Sequence, residues 1–161
     1  MIIIGIDPGY DRLGVAVIKK HLNNKEELLF SDCLNTDKRQ NISDRIYCLG
    51  TELLNLLEKY KPDLLAIETI FFNKNQKTVI GVSQIRGVVL YLAKQAGCKI
   101  LELGPQQIKI ATTGYGKSDK QAVLDMVKKL VVNAPQKALD DEYDAIAIAF
   151  TASSHTRLNL K

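Results

Sequence analysis

Residues 2–7, 14–18 and 27–34 are apolar segments of strand length, and only short stretches separate one from the next. A parallel pair needs a crossover connection of roughly a dozen residues or more. These three segments therefore read as an antiparallel meander, with Pro8-Gly9 making the first turn. Beyond them the period changes. Ile42, Ile46, Leu49, Leu53, Leu56, Leu57 and Tyr60 recur at helical spacing. Pro62 interrupts, and residues 63–69 read as a fourth strand. Residues 78–96 form a helix that Gly97 can terminate, and 98–103 a fifth strand. Pro105 can open a short helix. Ser118 and Gln121 form a capping box for a helix through Val131, and Pro135 precedes a last helix from about Asp140 to Ser153. A meander followed by strand–helix alternation predicts an α/β layered fold, with a mixed five-stranded sheet flanked by helices. The 161 residues fit a single domain spanning 1–161.

Four acids sit at the ends of these elements. Asp7 closes the first apolar run, Glu68 closes Leu64-Leu65-Ala66-Ile67, and Asp141 and Asp144 open Ala145-Ile146-Ala147-Ile148-Ala149-Phe150. A carboxylate at the end of a buried strand is costly unless hydrogen-bonded, paired or bound to a cation. Hard divalent cations prefer oxygen ligands and give one reason to gather such groups. Simpler readings compete. Asp before Pro-Gly is a frequent turn residue. Asp140, Asp141 and Asp144 can stabilise a helix N-terminus through the dipole. Glu68 has the weakest simple explanation, because Glu is disfavoured in a strand with apolar neighbours.

Charge adds a second signal. The net charge is +4, which by itself suits plain solubility. Residues 104–137, however, hold six lysines against two acids. A basic face beside an acidic centre suits a polyanion brought to a metal site, whereas a lysine-rich solvated helix is the bland alternative. The 46% hydrophobic and 25% charged content argues against disorder. No apolar run approaches the roughly 20 residues that cross a bilayer, so no membrane association is expected. The N-terminus lacks a basic region and cleavage site, and Cys33, Cys48 and Cys98 lack metal or disulfide spacing. A cytoplasmic protein with reduced thiols is the expectation.

The motifs, in order, are Ile4-Gly5-Ile6-Asp7-Pro8-Gly9 with Gly14, Ala66-Ile67-Glu68 followed by Phe71 and Asn75, and Gln84-Ile85-Arg86-Gly87-Val88. Then come Pro105-x-x-Ile108-Lys109, Gly114-x-Gly116 with Lys120-x-x-Val123, and Asp141-x-x-Asp144-Ala145-x-Ala147-x-Ala149. Over nearly the whole chain this series closely resembles the RuvC family of Holliday junction resolvases, in the RNase H-like superfamily. The resemblance implies a magnesium-dependent crossover junction endodeoxyribonuclease that acts as a homodimer on four-way junction DNA. It implies Asp7, Glu68, Asp141 and Asp144 as catalytic and metal-binding residues, with two Mg²⁺ ions per site and Mn²⁺ as a substitute. A branch-migration motor is an implied partner. The aromatic matching Phe71 contacts junction bases in resembling proteins, and Phe72 doubles it here. Lys74 and Lys77 lie in the polar, basic stretch that follows, where aromatics beside cations suit unstacked bases. Arg86, Lys109, Lys117 and Lys120 complete the expected DNA-binding set.

Phosphodiester hydrolysis needs an activated water, charge relief at phosphorus and a stabilised leaving oxygen, which two cations about 4 Å apart can supply. Asp7 is the expected bridging ligand, Glu68 and Asp144 complete the two ion sites, and Asp141 is a ligand or water-orienting base. Lys120 can offset charge on the scissile phosphate. Other readings are a YqgF-like nuclease of the same superfamily acting on RNA, a phosphate-binding ATPase domain suggested by Asp7-x-Gly9-x-x-x-x-Gly14, and a non-catalytic DNA-binding module. The ATPase reading lacks a second phosphate loop, and retention of all four acids counts against the last.

Overall fold

The computed structural model describes residues 1–9, 11–22, 25–69 and 76–158, with backbone only at 76–78, 157 and 158. Three antiparallel strands come first: β1 (Ile2–Asp7), β2 (Arg12–Lys20) and β3 (Glu26–Asn35). Then follow α1 (Ile42–Tyr60), β4 (Leu64–Glu68), α2 (Gln76–Gln95), β5 (Lys99–Leu103), α3 (Pro105–Thr113), α4 (Lys120–Leu130), β6 (Val131–Val132) and α5 (Asp140–Leu158). The sheet order is β5-β4-β1-β2-β3-β6. Strands β4 and β5 join β1 in parallel, so β1, β4 and β5 end on one edge.

Alternation along each strand sorts the side chains into two cores. Ile4, Ile6, Val15, Val17, Leu65 and Ile67 face α1 and α2. Ile3, Ala16, Ile18, Leu64 and Ala66 face the layer built on α5. Asp7 and Glu68 are each two residues beyond a position on this second face, Gly5 and Ala66, so the pleat turns both toward α5. Because α5 is packed between the sheet and helices α3 and α4, it is buried almost all round, with Ala145 through Phe150 enclosed. That burial explains a helix with an apolar run instead of an apolar stripe.

Helix α1 begins at Asn41, whose side chain accepts from the Asp44 amide at 2.9 Å, and it ends at Lys61 in the left-handed region. Gly97 follows α2 with a φ of 78°. Four expectations need correction. The sheet has six strands, because Val131–Val132 pairs in parallel with Glu26 and Glu27 of β3. Helix α4 consequently stops at Leu130. Its cap is not Ser118 with Gln121 but Asp119, whose carboxylate accepts from the Ala122 amide at 2.8 Å. Asp accepts more strongly than Ser when the donor is a backbone amide. Ser118 is hydrogen-bonded to Thr113, and Gln121 donates to Asp125. Helix α5 also runs on to Leu158, beyond the expected end.

Candidate active site

Strands β1 and β4 pair with Ile6 opposite Ile67, so the next residues, Asp7 and Glu68, end side by side on the parallel edge. The remaining acids arrive from α5. Asp140 and Asp141 lie in its first turn, and Asp144 follows one turn later on the face of Asp141.

Two glycines let this helix lie directly on strand backbone. A Cβ at Gly5 would fall 2.3 Å from the Ala145 carbonyl oxygen. At Gly14, which pairs with Asp7, it would fall 2.1 Å from the Asp141 carbonyl oxygen. Any side chain at either position would lift α5 off the sheet and carry Asp141 and Asp144 away from Asp7.

The consequence is electrostatic. Asp7 is pushed up to about 7, first by burial and then by the charges of Asp144, Glu68 and Asp141. Burial also raises Glu68, and Asp144 adds to the effect. Asp144 is raised by burial despite its hydrogen bond to Lys120. The four carboxylates thus act on one another as one group.

Two cations flank it. Lys120 Nζ lies 2.9 Å from Asp144 Oδ2 and 3.4 Å from Asp140 Oδ2. Burial works against the lysine's charge, but these acids more than offset it and raise its pKa. Arg12 Nη1 lies 3.4 Å from Asp141 Oδ2. On the same carboxylate oxygen, the Cys33 thiol donates across 3.8 Å. Burial and Asp141 push that thiol up to about 11, so it stays protonated.

The donor chemistry fits a hard divalent cation: four carboxylates, with mutual repulsion that a cation would relieve. Yet among the described residues no three acid, His or Cys side chains converge into a finished ion cage. Asp141 and Asp144 are instead engaged by Arg12 and Lys120.

A cleft of about 250 Å³ opens beside the group, lined by Glu68, Asp144, Lys109, Lys120 and Pro105 among others. Two expected DNA contacts, Lys109 and Lys120, therefore border the acids. Lys117 stands exposed between α3 and α4. Arg86 is placed differently: it is mostly covered and is ion-paired with Glu102 of β5. Phe71, Phe72 and Lys74 lie outside the described residues, as does the side chain of Lys77. Arg12 was not anticipated. Its one sequence signal is its place two residues before Gly14, the residue beneath Asp141.

The family model for crossover junction endodeoxyribonuclease RuvC matches residues 3–152. A curated relative of that name from Halothermothrix orenii is 41% identical over 161 residues, covering 100% of this chain and 97% of the relative. One from Thermosipho melanesiensis is 42% identical over 157 residues, covering 98% and 99% respectively. The solved Thermus thermophilus RuvC in complex with Holliday junction substrate has a TM-score of 0.91 at 29% identity, covering 99% of this chain and 96% of that one. The layered RNase H-like fold read from the motifs is the observed one, with a sixth strand added.

Proposed function

The chain belongs to the RuvC family of crossover junction endodeoxyribonucleases, and from that membership we propose how its residues resolve a four-way DNA junction. The observation that carries the proposal is the placement of Asp7. It is half-buried among three other acids at the parallel edge of the sheet, and a cleft with two lysines opens beside them. An acid group of this kind repels DNA unless a cation intervenes, while the lysines attract the backbone.

Asp7, Glu68, Asp141 and Asp144 would hold the divalent cations, two Mg²⁺ ions in this reading. When bound, the ions supply charge relief at phosphorus and a more acidic water. The chain does the rest. The packing of α5 on the sheet sets the backbone positions from which the four carboxylates reach the site. Lys120 neutralises Asp144 and stands where it can transfer its hydrogen bond to a phosphate oxygen. Lys109, on the other wall of the cleft, draws the backbone in.

The same reading takes residues 1–161 as a single nuclease domain working as a homodimer in the cytoplasm. No described helix is long and apolar enough to cross a membrane. Ile80 and Tyr91 are exposed large side chains on α2 and suit a twofold contact, which would pair two active sites across a symmetric junction.

The deciding experiment offers purified protein a four-way DNA junction, linear duplex DNA and structured RNA in Mg²⁺. Paired, symmetric nicks on the junction and their loss in Asp7→Asn are expected. Preferential cleavage of the RNA would overturn the substrate assignment.

A further inference from the structure

Lys120 and Arg12 engage different acids of the group, and they differ in kind. Lys120 reaches two carboxylates across the cleft and is drawn close to one of them. Among the described residues, Arg12 is ion-paired with Asp141, at 3.4 Å, with 51% of its side chain exposed. We propose that Arg12 is a positioning residue that competes with the divalent cation for the Asp141 carboxylate and so sets the ion concentration at which the site loads. The inference rests on the reading that these acids hold a divalent cation.

Both ends of the Arg12–Asp141 pair are mounted on rigid backbone. Arg12 opens β2 in register with Asn35 of β3. Two residues on, Gly14 lies against the Asp141 carbonyl, so the first turn of α5 cannot drift relative to β2. The backbone positions from which guanidinium and carboxylate reach each other are therefore set by the sheet.

The pair is also loose. A charge-assisted N–H···O contact normally closes to about 2.7–2.9 Å. This one is longer, half in water, and backed only by the weak thiol donor of Cys33. Such a contact can hold a carboxylate's direction and still yield to a divalent ion. A guanidinium keeps its charge across the whole working pH range. Arg12 therefore gives up the ionised Asp141 by being displaced and not by losing its own proton.

The test is calorimetric titration of Mn²⁺ into the full chain without DNA, for wild type, Arg12→Gln and Arg12→Lys, with melting temperature measured alongside. An exposed ion pair of this type is worth roughly 0.2–1 kcal/mol, equivalent to about a 1.5- to 5-fold change in affinity. Arg12→Gln is expected to bind Mn²⁺ tighter within that range, Arg12→Lys to stay near wild type, and the gain to shrink in high salt. Wild-type binding with an equal or weaker Mn²⁺ affinity in Arg12→Gln overturns the proposal, and a lowered melting temperature without an affinity change assigns Arg12 to the fold alone. Absence of Mn²⁺ binding in the wild type overturns instead the metal-site reading on which it rests.

Discussion

Gly14 and Asp141 meet through backbone: the α-carbon of the glycine on β2 packs so closely on the carbonyl of the aspartate on α5 that a Cβ there would sit 2.1 Å from its oxygen. The same glycine pairs with Asp7. One residue without a side chain thus sets the spacing between two of the proposed catalytic acids.

The first expected outcome follows from that contact. Gly14→Ala should lower stability by about 1–3 kcal/mol, because the obstructing atom is backbone and cannot rotate away. Cleavage should fall further than the stability loss explains. Gly87 provides the control. It lies in α2 with nothing near its absent Cβ, so Gly87→Ala should be neutral or stabilising by up to about 1 kcal/mol. Thermal melts of both variants check this, and equal melting temperatures would remove the packing argument.

Asp7 connects pH to stability. Its folded-state pKa of about 7 lies above the ordinary value of 3.8. The folded state therefore binds the proton more tightly than the unfolded state. The resulting stabilisation is fully present below about pH 4 and is lost as pH rises through 7. Without added metal, Asp7→Asn should melt higher than wild type at pH 8 and close to it at pH 4. It should also abolish cleavage while sparing junction binding. Parallel pH–melting curves for the two proteins would show that Asp7 is not held among like charges.

The lysines should separate by role. Lys120→Gln should slow single-turnover cleavage by about 10²–10³-fold if it stabilises charge at the reacting phosphate, with a smaller effect on affinity. Lys109→Gln and Lys117→Gln should instead weaken junction binding and each reduce its salt slope by up to about one. Binding isotherms over a range of salt, run in Ca²⁺ to suppress turnover, distinguish the two. Unchanged slopes for both substitutions would make that surface a solvated face.

Arg86 should behave as part of the fold. Its pairing with Glu102 ties α2 to β5, and its side chain is only 16% exposed. Arg86→Met should cost about 1–3 kcal/mol of stability, with little change in the salt dependence of DNA binding. A double-mutant cycle with Glu102→Gln measures the coupling. A clear loss of salt slope with full stability would return Arg86 to the DNA-contacting set.

Local rules made much of this molecule legible in the amino-acid order. Helix α1 begins and ends where its apolar period places it, because periodicity acts within a few residues. Alternation alone turns Asp7 and Glu68 to the same face once their strands are paired. The series of motifs identified the family. What escaped depends on which backbones become neighbours. The two residues of β6 carry no strand pattern of their own and exist as a strand only because β3 offers an open edge. The pairing of Arg86 with Glu102 likewise forms only because β5 lies beside α2. Arg12 and Asp141 are 129 positions apart, and no local signal links them. Their meeting was decided by tertiary packing, through the glycines that let α5 rest on the sheet, because an ion pair depends on distance in space and not on order along the chain.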